Sequence, residues 1–216
     1  MIALVFALEY ESAAVSEPAR LCSTIWNLGG MGKFAVDALE YRLKSARPHL
    51  IVSAGFGGGL QPGLDVGALV LGENLSDSHL LRIAAGVPGF KAGRLHTSND
   101  VIEKSSDKYA LGRTTGALSV DCESEWIRDL CDRQGIRFFA IRCISDSVDD
   151  DFPMPSSILI DEKSGRPAPS SVFRYLFSHP AAIPGFKNLI QNARKAQRSL
   201  ARGLNLLMPI FLKDSR

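Results

Sequence analysis

Continuous apolar runs closed by polar residues recur through the first two thirds of the chain, with helical stripes between them. Ile2 to Leu8 is one such run, ending at Glu9, the pattern of a strand buried on both faces. The same pattern predicts strands over Thr24 to Leu28, Pro48 to Ser53, Val66 to Leu71 and Ala117 to Val120, and most clearly over Phe138 to Ile144. Ser12 to Cys22 is a candidate helix. Phe34 to Leu43 places apolar residues at 34, 35, 38, 39 and 43 on one face, and Glu123 to Gln134 does the same with Trp126, Ile127, Leu130 and Cys131. Asp107 to Leu111 predicts a short helical segment. Glu73 to Leu95, punctuated by Gly86, Pro88, Gly89 and Gly93, predicts loop with short strands. Repeated strand–helix alternation predicts an α/β fold, a sheet with helices on both faces.

The last third has a different character. Residues 149–171 are rich in Pro, Ser and Asp and predict a long loop or flap, and Val172 to Phe177 a short helix stopped near Pro180. From Phe186 to Leu207, apolar residues fall at 189, 193, 196, 200, 204 and 207, while Lys187, Arg194, Lys195, Arg198 and Arg202 occupy other faces. That is a basic amphipathic helix near 186–207, suited either to packing on the domain or to contact with a membrane surface.

Length and composition narrow the classes. A chain of 216 residues fits one domain over 1–216, and 45% hydrophobic with 22% charged residues is ordinary for a globular core. The net charge of +2, from 25 basic and 23 acidic residues, is too weak for nucleic-acid binding, which requires a concentrated basic footprint. Cys22, Cys122, Cys131 and Cys143 form no CxxC pair, and His49, His79, His96 and His179 add no metal-ligand spacing. The expectation is reduced thiols in a cytoplasmic protein with no metal. The N-terminal apolar run is short and lacks a basic flank, a poor signal peptide, and no stretch approaches the ~18–20 apolar residues of a membrane span.

Open α/β sheets place ligands beyond the carboxyl ends of their strands. Three acids fall at such places: Glu11 after the first strand, Glu123 after 117–120, and Asp146 after 138–144. Gly55, Gly57 and Gly58, flanking Phe56 in SAGFGGGL, follow a buried strand and allow backbone to approach an anion or sugar hydroxyls. Their spacing fits neither a dinucleotide fingerprint nor a P-loop. Three carboxylates near a sugar can divide the work of orienting water, holding hydroxyls and protonating a leaving base.

Four segments then carry a family likeness: ALEYESA at 7–13, GGMGKFAVDAL at 29–39, SAGFGGGLQPGLDVGALVL at 53–71 and SVDCESEWIRDLCDRQGIRFFAIRCISDSVDD at 119–150. With them the chain resembles the nucleoside phosphorylase and nucleosidase superfamily, which includes methylthioadenosine/S-adenosylhomocysteine nucleosidases. The resemblance implies a single-domain three-layer α/β/α fold with a twisted mixed central sheet, and cleavage of the N-glycosidic bond of a purine nucleoside. It gives Glu11 the role of activating water, Glu123 that of gripping the ribose hydroxyls with Cys122 against the sugar, and Asp146 that of contacting and protonating the purine. Phe138 or Phe139 sits near the base-stacking segment. Gly55, Phe56, Gly57 and Gly58 form the sugar- or anion-binding backbone.

Departures from the family pattern are Phe56, where relatives carry a small polar residue, Ala68, in place of the aspartate of a GDxV element, and the lack of a phosphate-binding arginine near Glu11. They favour hydrolysis with no cofactor, and leave phosphate as the co-substrate of a phosphorylase alternative. A non-catalytic nucleoside-binding module is the other alternative. The stretches 93–111 and 170–189 are similar to the hopanoid-associated phosphorylase-like proteins, implying an adenosylhopane-like substrate and peripheral membrane contact; a methylthioadenosine-type nucleosidase, with a methylthio or homocysteine 5′ group, is the alternative. The family also implies a homo-oligomer, a dimer being the simplest.

Overall fold

The computed structural model describes residues 1–161 and 163–214. Eight strands, β1 (Ile2–Phe6), β2 (Thr24–Asn27), β3 (Leu50–Gly59), β4 (Leu69–Gly72), β5 (Phe90–Gly93), β6 (Leu95–Thr97), β7 (Ser119–Asp121) and β8 (Arg137–Asp146), form one mixed sheet. Its main path runs β2-β1-β3-β8-β4-β5, and β7 joins the far end of β3 to β6. Pairing is parallel from β2 through β8, and reverses where β4 meets β8 and where β7 meets β3.

Side chains that alternate along these strands feed two cores. On one face Leu4, Phe6, Val52, Phe139 and Ile141 pack with residues of α2 (Ala19–Cys22), α4 (Ser78–Ala85) and α9 (Ile183–Asp214). On the other, Ala3, Val5, Ile51 and Phe138 meet α3 (Lys33–Leu43) and α6 (Ser124–Gln134). The architecture is therefore three-layer α/β/α, as expected.

Several elements differ from the sequence expectation. The strand expected to stop at Ser53 runs to Gly59, so the glycine cluster is strand and not turn. Residues 73–95 contain α4, begun by Asp77, whose carboxylate accepts from the His79 and Leu80 amides at 3.1 and 3.0 Å. Gly86, Pro88 and Gly89 mark its end, not its absence. Of the helix expected over 12–22 only Ser12, the last residue of α1 (Glu9–Ser12), and α2 are helical; residues 13–18 are turn and coil, with Pro18 immediately before α2. The helical segment at 107–111 is the middle of α5 (Ser105–Thr115). Residues 149–171 hold α7 (Ser156–Leu159), a small hairpin of β9 (Ile160–Asp161) and β10 (Arg166–Pro167), and the start of α8 (Pro169–Ser178).

The basic amphipathic helix is longer than its pattern, 32 residues, because apolar positions continue through Met208 and Phe211. Leu200, Leu204, Leu207, Met208 and Phe211 are buried, and the Phe211 ring meets that of Phe139 edge-on at 4.8 Å. Each fully buried side chain of this kind is worth about 1.5–3 kcal/mol. The apolar face is thus spent on the sheet. No helix among the described residues is long and apolar enough to cross a membrane.

Gly112 lets α5 lie against the far end of β3: a β-carbon there would sit on the carbonyl oxygen of Leu60. Alanine gains about 1 kcal/mol of helix propensity over glycine, but overpacking against fixed backbone costs about 1–3 kcal/mol. Gly112→Ala should therefore lower the urea midpoint of unfolding, with the m-value unchanged.

Candidate active site

The site is built where β1 and β7 end, against the second half of β3 and β8. Beyond β1 the chain turns into α1, and Glu11 folds back over the strand ends. Its Oε2 accepts from the Leu8 amide at 3.0 Å and its Oε1 from the Phe56 amide at 2.7 Å. This needs a bare backbone next to it, since a β-carbon on Gly55 would lie 2.8 Å from Oε1. Glu11 is 5% exposed.

Across the strand ends, Asp121 closes β7. Its Oδ1 accepts from the Thr97 hydroxyl at 2.8 Å and from the Glu123 and Ser124 amides at 3.1 and 3.0 Å, anchoring the start of α6. Its Oδ2 accepts from Arg142 Nε at 2.7 Å. Arg142, buried within β8, spends Nη1 on the Ser53 and Ile141 carbonyls at 3.0 and 2.9 Å, and Nη2 on the Ser53 hydroxyl at 3.0 Å. Glu123 then accepts from the Gly32 amide at 3.0 Å. Gly32, with φ +57°, has the left-handed backbone that glycine adopts at little cost.

Glu11, Glu123 and Arg142 line one cavity of about 10 Å³, walled by Val5, Ala7 and Ile127. That is space for about one water. The electrostatics follow from three buried carboxylates sharing one guanidinium. Burial pushes the Asp121 carboxyl up, but Arg142 and the Ser124 and Thr97 hydrogen bonds outweigh it and hold it below the usual range. Burial raises Glu11, against the Leu8 and Phe56 amides. Burial and the Asp121 charge push Glu123 up to about 8, against Arg142 and the Gly32 amide. A glutamic acid of that kind can both donate to and accept from a hydroxyl.

Asp146 ends β8 further along the same strand pair. The β3–β8 register steps from Gly57↔Ile144 to Gly58↔Asp146, leaving Ser145 as an extra residue. Such a bulge re-aims the side chain after it, and the Asp146 carboxylate lies 3.2 Å from where a Gly58 β-carbon would be. Three strand residues separate Gly58 from Gly55, about 10 Å. Asp146 is not among the residues lining the Glu11–Glu123 cavity. Its Oδ2 accepts from Lys108 Nζ at 2.5 Å and its Oδ1 from the Ser145 hydroxyl at 2.7 Å. Burial raises its carboxyl, opposed by Lys108.

Other expected residues fall elsewhere. Phe138 and Phe139 are both buried near the start of β8, opposite Ile51 and Val52, one in each core. Neither can stack on a base, because strand alternation commits both rings to packing. Phe56 contributes its amide, while its ring meets Tyr10 at 6.2 Å. Gly57 makes room for Ser119 and Arg142, and Gly58 for Asp146, so these glycines serve side chains and do not present a sugar-binding loop. Cys122 is half-buried, its thiol pushed up by burial and by Glu123, which disfavours the thiolate. Among the described residues no group of three or more His, Cys, Asp or Glu could hold a metal ion.

Asp121, Arg142, Ser53 and Lys108 complete the site beyond the residues that the sequence pattern marks. The readable signal for Arg142 is a charge inside the apolar run FFAIRCI, and for Asp121 an acid closing the strand before it.

No family model and no curated protein matches this sequence. Solved structures do match the fold. The 5′-methylthioadenosine/S-adenosylhomocysteine nucleosidase of Helicobacter pylori superposes with a TM-score of 0.69 at 12% identity, covering 97% of each chain. Futalosine hydrolase of the same organism gives 0.67 at 13% identity, again over 97% of each. The methylthioadenosine/S-adenosylhomocysteine nucleosidase of S. pneumoniae, solved with a transition-state inhibitor, gives 0.63 at 13% identity over 94% of this chain and 98% of its own. The chain has the fold of these nucleosidases.

The raised Glu123 makes a stability prediction. Its folded state binds a proton more tightly than the unfolded chain does, so its contribution falls as pH rises from the ordinary carboxylate range to about 8 and is level above that. In urea titrations from pH 5 to 8, Glu123→Gln should lose less stability with rising pH than the parent.

Proposed function

We propose that this chain hydrolyses the N-glycosidic bond of a purine nucleoside. The observation that carries the proposal is the pairing of Glu11, held by two backbone amides, with Glu123 across a water-sized cavity at the strand ends. Glu11, as carboxylate, takes a proton from water attacking the anomeric carbon. Glu123 holds the ribose hydroxyls, and the Glu11 carboxylate favours the positive charge that develops on the sugar. Asp146 protonates the departing purine, which takes the electrons of the C–N bond. The nucleosidases and the futalosine hydrolase that share the fold support this reading.

Hydrolysis is favoured over phosphorolysis by Arg142. It is the cation at the cavity, and the Asp121, Ser53 and Ile141 acceptors occupy its donors, leaving little for a phosphate. A nucleoside needs a site of hundreds of Å³, so binding requires the surrounding chain to part. The tip of the β9–β10 hairpin, where Gly165 lies against Gly30 and Leu8, borders the site and belongs to a segment without buried strand residues.

The finer part of the proposal is peripheral membrane contact, as a lipid-like 5′ substituent would require. Lys187, Arg194, Lys195, Arg198 and Arg202 fall within about 100° of arc on α9, are all exposed, and have no ion-pair partner among the described residues. Between Ile183 and Lys213 the helix carries no acid. Anionic headgroups attract such a row.

Purified protein should release adenine from methylthioadenosine or a related 5′-modified adenosine in phosphate-free buffer, and Glu11→Gln should slow release roughly 10²–10⁴-fold. Release that depends on phosphate would overturn hydrolysis, and no release from any purine nucleoside would overturn the function. Vesicles containing phosphatidylserine should co-sediment the protein at low salt, neutral phosphatidylcholine vesicles should not, and Arg194→Glu with Arg198→Glu should abolish the difference.

A further inference from the structure

We infer that Lys108 is a positioning residue for Asp146: its ammonium makes that carboxyl a stronger acid and holds the carboxylate left once a proton has passed to the departing base. The inference rests on the nucleosidase proposal and extends it to a residue on a different element, α5.

The geometry is that of a dedicated clamp. Lys108 is fully buried, and its three N–H donors go to Asp146 Oδ2 at 2.5 Å, the Asp150 carbonyl at 2.8 Å and the Ser147 carbonyl at 3.1 Å. Its Nζ also stands 5.6 Å from the centre of the Phe152 ring. Burying an ammonium costs several kcal/mol unless its charge and all its donors are matched, and here they are matched at the end of β8. Gly112, one helical turn beyond Lys108, provides the close approach of α5 to Leu60 that brings the lysine in.

Other charged groups near the pair are accounted for elsewhere. Asp150 faces it most directly, with its carboxylate occupied by the Ser147 amide and hydroxyl at 2.7 and 2.8 Å, and it opposes ionisation of Asp146. On α5 and its approach, Tyr109 bonds Asp149 at 2.7 Å and Lys104 lies 3.9 Å from Asp151, both at the surface. Lys108 is therefore the one cation in contact with the Asp146 carboxylate among the described residues.

The chemical step balances without further reactants. The proton on Asp146 moves to the purine as the sugar–base bond breaks, the bonding electrons leave with the base, and water supplies the hydroxyl at the sugar as its other proton passes to Glu11. Asp146 ends as a carboxylate paired to Lys108, which keeps its own three protons throughout. In an apolar pocket without that partner, the carboxyl would hold its proton to higher pH and release it less readily.

The test compares the parent with Lys108→Met and Lys108→Arg, with Lys108→Gln in reserve should the methionine variant not fold. Two readouts are followed: the pH dependence of kcat/KM for adenine release, and the titration of ¹³Cγ-labelled aspartate by NMR, with Asp146→Asn assigning the resonance. Removing the charge should move the Asp146 titration and the alkaline limb of the rate profile up by about 1–3 pH units and lower the maximum rate at least tenfold. Arginine should restore both. A fall in thermal stability with titration and limb unmoved would overturn the inference and leave Lys108 a structural lock. If the titration moves but the parent releases no adenine, the nucleosidase proposal fails and the catalytic use of the pair fails with it.

Discussion

A guanidinium in the middle of a sheet has to be neutralised and its donors occupied, and most of the site follows from how this is done for Arg142. Asp121 supplies the charge, and Ser53 and Ile141 supply further acceptors. Because Asp121 also binds the first amides of α6 and the hydroxyl of Thr97, the same carboxylate fixes where that helix starts and how β6 lies beside it. Glu123 is consequently delivered beside a charge it would otherwise avoid. Breaking a buried pair of this kind costs about 3–5 kcal/mol, since the surviving charge stays unpaired. The pair therefore organises the strand ends more strongly than it stabilises them.

The division of charge gives the neighbouring acids different characters. One guanidinium cannot satisfy three buried carboxylates. Asp121, in contact, remains the anion. Glu11 is given two amides that oppose the effect of its burial, and Glu123 only one together with a nearby negative charge that adds to it. Environment, not residue type, thus distinguishes the two glutamates from each other and from Asp121.

Much of the fold was legible in the sequence because strands covered on both faces read as unbroken apolar runs. That located β1, β3 and β8 and the helical stripes of α3, α6 and α9. α4 was not legible because Gly86, Pro88 and Gly89 crowd its end and hide its short stripe. The extent of β3 was hidden because its last residues are glycines, which as a local signal mean a turn. Of the site, Glu11, Glu123 and Asp146 could be picked out as strand-end acids. Their partners could not: Asp121 and Arg142 are 21 residues apart and Lys108 and Asp146 are 38 apart, and each pair is joined only by tertiary packing. Phe138 and Phe139 misled because proximity to a functional strand end says nothing of depth along the strand.

The placement of α9 has a consequence for how the chain reaches this fold. The sheet face carrying Leu4, Phe6, Val52, Phe139 and Ile141 is covered largely by residues 196–211, which follow every strand of the main sheet in sequence. In a nascent chain every strand of that sheet is therefore synthesised seconds before the residues that cover this face, at roughly 5–20 residues per second.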